Sequence, residues 1–309
     1  MKELAFNRNG QFKIMQLTDL HYTNDDEDDH RTVALTEHLI RLEQPDFIMV
    51  TGDTVYGTDN MKNLGKALKP LKDSGIPWSI VLGNHDVEQN GTPRELITQA
   101  ASMEGCMVWH DEASGDRYGN HYLEVKGRCG RTAWLIFGLD SGGDNPMKEV
   151  GGYDCITPRQ IQWYRSCIRR YREQEPDVNA LVFQHMALPE IEEVWRYETS
   201  IGTRRDGFGC PRVNTGFFSM LLEEGHTSGV FFGHDHANDF WGRRFGIALG
   251  YGRASGYGGY GTEDYPLGAR IFILDEDKPG DFETYTRLDT GVCVKNPWIH
   301  QPLERRDEG

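Results

Sequence analysis

SGVFFGHDHANDF, residues 228 to 240, reads as a buried strand that ends abruptly in Gly233, His234, Asp235 and His236. A buried strand is stabilised by apolar side chains, so two imidazoles and a carboxylate at its exit need a chemical reason. Other apolar runs of strand length end in the same way. FKIMQL (12–17) runs into Thr18-Asp19-Leu20-His21, FIMV (47–50) into Thr51-Gly52-Asp53, and WSIVL (78–82) into Gly83-Asn84-His85-Asp86. ALVF (180–183) runs into Gln184-His185. With AWLIFGL (133–139) and RIFIL (270–274), these near-continuous runs predict strands covered on both faces.

Helix signals lie between several of them. Leu35, Leu39 and Leu42 share a helical face that Pro45 ends, and Leu64, Leu68 and Leu71 form a second stripe with Gly75 as its C-terminal cap. Thr92-Pro93-Arg94-Glu95 and Thr157-Pro158-Arg159-Gln160 both read as capping boxes with proline in the first helical position. Strands alternating with helices predict an α/β fold, and no internal repeat or low-complexity linker divides the chain, so residues 1–309 are expected to form a single domain. The polar segment from about residue 275, ending in ERRDEG, is expected to wrap the surface or fray.

In open α/β sheets, ligands bind at the carboxyl ends of the strands, so the polar residues at five strand ends can converge on one rim. Any one of them alone has an ordinary explanation, since Asp and Asn cap helices and a single His185 can be a satisfied core histidine. Together, Asp19, His21, Asp53, Asn84, His185, His234 and His236 make a mixed oxygen and imidazole donor set without thiolate. That set suits iron, manganese or zinc, and it exceeds what one tetrahedral ion needs. Two ions roughly 3.5–4 Å apart, bridged by a carboxylate, would use it fully. In an extended segment i and i+2 share a face, which is the expected arrangement of the two histidines in HDH and of Asp19 and His21.

Composition narrows the function. The 309 residues are 38% hydrophobic and 26% charged, ordinary for a globular protein, and the formal net charge is −15. An acidic surface repels a nucleic-acid backbone, so extended nucleic-acid binding is not expected, whereas a small phosphorylated substrate at a local metal site is compatible with it. No apolar run is long enough to span a bilayer and the N-terminus lacks an apolar signal region, so no membrane partner is expected and the location is expected to be cytoplasmic. The six cysteines form no CxxC pair and are expected to be free thiols.

The blocks Asp19-Leu20-His21, Gly52-Asp53, Gly83-Asn84-His85-Asp86, His185 and Gly233-His234-Asp235-His236 resemble, in order, the D-x-H, G-D, G-N-H-[DE], H and G-H-x-H pattern of the calcineurin-like metallophosphoesterase superfamily. The resemblance implies a four-layer α/β/β/α sandwich, two packed mixed β-sheets flanked by helices. It also implies one metal held by Asp19, His21, Asp53 and His236 and another by Asp53, Asn84, His185 and His234, with Asp53 bridging. A hydroxide between the ions would be the nucleophile. His85 would stabilise the phosphoryl oxygens or protonate the leaving group, with Asp86 orienting its ring. The implied activity is metal-dependent hydrolysis of a phosphomonoester. A phosphodiesterase acting on cyclic nucleotides or phospholipid head groups is the alternative, and a non-catalytic protein-binding scaffold is disfavoured because the donor set and His85 are complete.

Closer resemblance is to the purple-acid-phosphatase-like branch: Gly52-Asp53-Thr54-Val55-Tyr56 fits its G-D-x-x-Y, and FQHMALPE (183–190), GHDHANDF (233–240) and YGRASGYGGYG (251–261) look similar. That branch uses the tyrosine as an iron ligand but has D-x-G in the first block. With His21 present, His21 is the expected ligand, and Tyr56 either supports the ligands by packing or donates as well. GYGGYG (256–261) formally matches GxGxxG, yet no helix follows, which discounts a dinucleotide fingerprint. It is either a hairpin turn or a loop at the metal rim, where Arg253, Tyr257 and Tyr260 would grip the substrate. Substrate choice is expected to lie in loops 140–156, 186–215 and 250–268. The acidic run NDDEDDH (24–30) reads as a solvated loop, and His30, His38, His110, His121, His226 and His300 read as surface residues.

Overall fold

The computed structural model describes residues 3–115, 117–261, 264–295 and 297–302. ERRDEG lies outside them. Two mixed sheets carry the fold. The nine-stranded sheet runs, edge to edge, Leu4–Ala5, His121–Lys126, Thr132–Leu139, Asn179–Gln184, Thr227–Phe232, Ile247–Tyr251, Trp241–Arg244, Ser200–Ile201 and Ile299–His300. The six-stranded sheet runs Cys293–Val294, Phe282–Leu288, Gly268–Asp275, Gln11–Leu17, Phe47–Thr51 and Trp78–Val81. Each has a parallel centre: Thr132–Leu139, Asn179–Gln184, Thr227–Phe232 and Ile247–Tyr251 in the larger sheet, and Gln11–Leu17, Phe47–Thr51 and Trp78–Val81 in the smaller.

Every apolar run that the sequence marks as a strand is one. The runs lack alternation because both faces are covered. Phe12, Ile14, Phe47, Met49 and Phe272 meet Trp134, Ile136, Phe183 and Phe231 between the sheets. Phe231 and Phe272 pack edge to face across that gap with ring centroids 4.5 Å apart. Outside, helices Glu27–Glu43, Asn60–Ala67 and Pro93–Ala101 cover the smaller sheet, and Pro158–Gln174, Glu190–Tyr197 and Phe217–Glu224 cover the larger. The result is the four-layer α/β/β/α sandwich.

Both proline-bearing capping boxes are present, at Thr92 and Thr157. Gly75 closes the short helix Lys69–Ser74 with φ 67°, a value that penalises any side chain. Four expectations need correction. The acidic run is no loop: Asp26 and Asp29 form a capping box, and Glu27, Asp28 and Asp29 fill the first helical turn, where the helix dipole favours negative charge. Leu42 is exposed rather than buried with Leu35 and Leu39. Among its described residues, the segment after Asp275 joins the sheets instead of fraying. Phe282–Leu288 pairs along its whole length with Gly268–Asp275, and Arg287 and Tyr285 bind the buried carboxylate of Glu43. His121 and His300 are core residues, the first hydrogen-bonded to Ser79 at 2.7 Å and the second stacked on Trp195 at 3.8 Å. The six cysteines are free.

Candidate metal centre

All seven sequence-marked donors arrive at the carboxyl ends of the parallel strands, on one rim of the sandwich. Asp19 and His21 follow Gln11–Leu17, Asp53 follows Phe47–Thr51, and Asn84 follows Trp78–Val81. His185 follows Asn179–Gln184, while His234 and His236 follow Thr227–Phe232. Backbone hydrogen bonds stitch these exits together: Asp19 N–H donates to Gly52 O at 3.1 Å, His21 N–H to Asp53 O at 2.9 Å, and Gly233 N–H to His185 O at 3.1 Å.

The chain turns sharply to aim these side chains. Asp19 (φ 54°), His21 (φ 47°), Asp53 (φ 49°) and His234 (φ 75°) all lie in the left-handed region. Each such residue costs on the order of 1–3 kcal/mol and persists only where the surroundings enforce it. The expectation of an extended HDH with both imidazoles on one face is therefore corrected. The bend at His234 sends the two rings to different places. Room for the crowding comes from glycine: a Cβ on Gly83 would stand 2.1 Å from Asp53 Oδ1, and one on Gly52 would stand 2.5 Å from His185 Nδ1.

Two buried donor clusters result, Asp19 with His21 and His236, and Asp53 with His185 and His234. In the first, His21 Nε2 and His236 Nε2 stand 3.0 Å apart, and Asp19 Oδ1 is 3.6 Å from His236 Nε2. In the second, His185 Nε2 is 3.2 Å from both Asp53 Oδ2 and Asn84 Oδ1. Asp53 Oδ2 faces both clusters, since it is also 3.6 Å from His21 Nε2.

The remaining hydrogen bonds leave the inward atoms free. The Nδ1–H of His185 donates to Thr51 O at 2.8 Å, and that of His236 to Tyr260 O at 3.2 Å, which turns each Nε2 toward the centre as in metal-ligating histidines. Asp53 Oδ2 is buried without a hydrogen-bond partner. A buried carboxylate oxygen in that condition requires a cation.

Electrostatics agree. Burial pushes the imidazoles of His21 and His234 down to about 3, so they stay neutral and able to ligate. Burial alone would raise Asp53 and lower His185, but their proximity reverses both: Asp53 is held well below the carboxylate range and His185 is pushed up to about 10. Positive charge belongs between these two atoms, as a shared proton or as the metal ion that displaces it. The two clusters fit a dinuclear metal centre.

His85 lies over this centre. Its N–H donates to Asp53 Oδ1 at 2.9 Å, and its ring faces the cleft with Nε2 4.0 Å from Asp53 Oδ2. Asp86 does not orient that ring. Its carboxylate accepts from Gly83 N–H at 2.8 Å and Val55 N–H at 2.9 Å, tying two strand exits together. The contact to His85 Nδ1 comes instead from Glu88 Oε2 at 2.8 Å, three residues on in a short helical turn, a spacing that H-D-V-E already displays. Tyr56 packs edge-on against His85 and His21, with ring centroids 4.5 and 5.8 Å away.

The three substrate-gripping candidates separate. Tyr260 stands at the cleft, its ring stacked on His236 at 4.1 Å. Arg253 is buried and spent elsewhere, on Asp239 at 2.7 Å and Pro266 O at 2.6 Å. Tyr257 points away, under the Arg31 guanidinium and toward Asp289. The Gly/Tyr loop does sit at the metal rim, with Gly258 and Gly259 lining the cleft. Asp144 and Tyr153, residues 206–209, and residues 258–260 form its outer walls, one patch from each loop expected to govern substrate choice. Which residues of those loops face inward has no local sequence signal.

The calcineurin-like phosphoesterase family model matches residues 12–238. Over 93% of this chain and 85% of the relative, the sequence is 31% identical to an Arabidopsis thaliana protein named probable inactive purple acid phosphatase 29. The fold superposes with a TM-score of 0.64 on a dimetal phosphatase from Danio rerio, at 14% identity, covering 92% of this chain and 98% of that one. It superposes with a TM-score of 0.56 on a purple acid phosphatase from yellow lupin (Lupinus luteus), at 14% identity, covering 94% of this chain and 53% of that one. Among the described residues, no helix is long and apolar enough to cross a membrane.

Proposed function

This chain belongs to the calcineurin-like phosphoesterase family, in its purple-acid-phosphatase-like branch, and we propose that it is a metal-dependent phosphatase hydrolysing a small phosphomonoester. The observation that carries the proposal is the unpartnered, buried Oδ2 of Asp53 between two donor clusters. Asp19, His21 and His236 would hold one ion and Asn84, His185 and His234 the other, with the Asp53 carboxylate between the two sets. Iron, manganese and zinc suit these donors. Ions bound there supply positive charge to the phosphoryl oxygens and acidify a water molecule.

The chain's own groups do the rest. His85 is half-buried, with Nε2 directed over the centre, where it can donate to a phosphoryl oxygen or to the departing alcohol oxygen. Glu88 Oε2, 2.8 Å from its Nδ1, holds the ring in that orientation. The left-handed turns at Asp19, Asp53 and His234 hold the donors in place before substrate arrives. The Arabidopsis relative is named inactive, but here the donor set and His85 are complete, which supports catalysis.

The test is turnover of p-nitrophenyl phosphate with manganese or iron, and its loss in Asp53→Ala and His85→Ala. Robust turnover by Asp53→Ala would refute the bridged centre. One observation favours a second reading, a phosphodiesterase: among the described residues lining the cleft there is no lysine or arginine to meet the extra charge of a monoester. A higher kcat/KM on bis-p-nitrophenyl phosphate than on the monoester would select it.

A further inference from the structure

The cleft above the donor clusters measures about 740 Å³, far more than a phosphate needs, and its walls are acidic and aromatic. Two pairs of ring and carboxylate stand out. The Tyr260 hydroxyl donates to Asp206, and the Tyr260 ring lies on His236. Asp144 pairs through its backbone with Tyr153, whose ring meets His234 edge-on at 4.4 Å. Each pair therefore flanks a donor of a different cluster. No lysine or arginine among the described residues lines the cleft to offset these carboxylates.

We propose that the ester hydrolysed here carries a positive charge on its alcohol: it is a phosphate ester of an ammonium alcohol, with the ammonium held by Tyr260, Asp206, Tyr153 and Asp144 while the phosphoryl group faces the metal ligands. The proposal rests on the phosphoesterase reading and adds the substrate class. Aromatic faces attract ammonium groups through their quadrupoles, and adjacent carboxylates strengthen the attraction. An alcohol bearing a second negative charge would be repelled by Asp144 and Asp206, and the chain's formal charge of −15 extends that preference outward. In the reaction, water oxygen bonds to phosphorus, the bond to the alcohol oxygen breaks, and that oxygen takes up a proton; the ammonium is unchanged.

The test compares phosphocholine with 3,3-dimethylbutyl phosphate, which has the same shape with carbon in place of nitrogen, using the manganese-loaded protein. The expected result is a kcat/KM about tenfold higher for phosphocholine, with the ratio falling toward one in the double variant Asp144→Asn/Asp206→Asn. Calorimetric affinities for the matching non-hydrolysable phosphonates should show the same preference. Equal or better performance of the neutral compounds, or a ratio untouched by the double variant, overturns the inference. Absence of turnover on every ester, with the phosphonate preference intact, would sink the phosphatase reading while sustaining this one. Glycerophosphocholine in the same assay tells whether the ammonium arrives on a free monoester or on a diester.

Discussion

His21 and His236, 215 residues apart in the chain, face each other with their Nε2 atoms 3.0 Å apart. Two buried imidazoles do not approach that closely through their nitrogens unless a proton or a cation lies between or beside them. The protein should therefore gain stability from metal. At a free metal concentration 100 times Kd the gain is about 2.7 kcal/mol, read as a rise in Tm over the chelator-treated protein. His236→Ala should lower bound metal from two ions to one per chain by elemental analysis, and unchanged stoichiometry would contradict the assignment.

Gly83→Ala tests the crowding. Its Cβ would stand 2.1 Å from Asp53 Oδ1 and displace that carboxylate. Metal content and activity should both collapse. Gly75→Ala is the control: it has φ 67° but open space around its Cβ position, so it should cost only about 1 kcal/mol of stability and leave the metal in place.

Asp86 and Glu88 should separate by phenotype. Asp86→Ala leaves the buried N–H groups of Gly83 and Val55 without acceptors and should destabilise by roughly 2–5 kcal/mol in denaturant unfolding. Glu88→Gln alters the contact to His85 Nδ1 alone. Its Tm and metal content should match the parent, while kcat falls about tenfold. A lost metal ion in Glu88→Gln would assign Glu88 a structural role instead.

Glu43 ties the first long helix to Phe282–Leu288 through Tyr285 at 2.7 Å and through Arg287. Burial alone would raise this carboxyl, but hydrogen bonds from Tyr285 and Arg287 and the latter's charge hold it below its ordinary range. A depressed carboxyl contributes stability that is present above the unfolded value of about 4.3 and disappears as pH falls through the folded value. Glu43→Gln should thus be less stable than the parent by about 3 kcal/mol at pH 7, with the gap closing below about pH 4. A gap of constant size across that range would contradict the linkage.

Arg253→Met should lower stability, because it strands Asp239 beside a buried vacancy. KM for p-nitrophenyl phosphate should not change, and a several-fold rise in KM would restore Arg253 to the substrate site.

What the chain's order of residues determined by itself is the set of strands, their polar exits and the donor inventory. Apolar runs such as GVFF and ALVF declare burial on both faces, and the blocks at their ends are short enough to be read within one segment. The capping boxes at Thr92 and Thr157 were equally legible, because cap and partner lie three residues apart.

Tertiary structure alone decided that Asp53 Oδ2 faces both clusters, that the bend at His234 parts the two imidazoles, and that Arg253 turns inward to Asp239. It also decided which residues of three distant loops wall the cleft, and hence the sign of the charge a substrate meets there. These outcomes depend on how two sheets pack face to face, bringing together atoms from segments up to 215 residues apart. Backbone propensity and local hydrogen bonds act over a few residues, so no local pattern records such meetings.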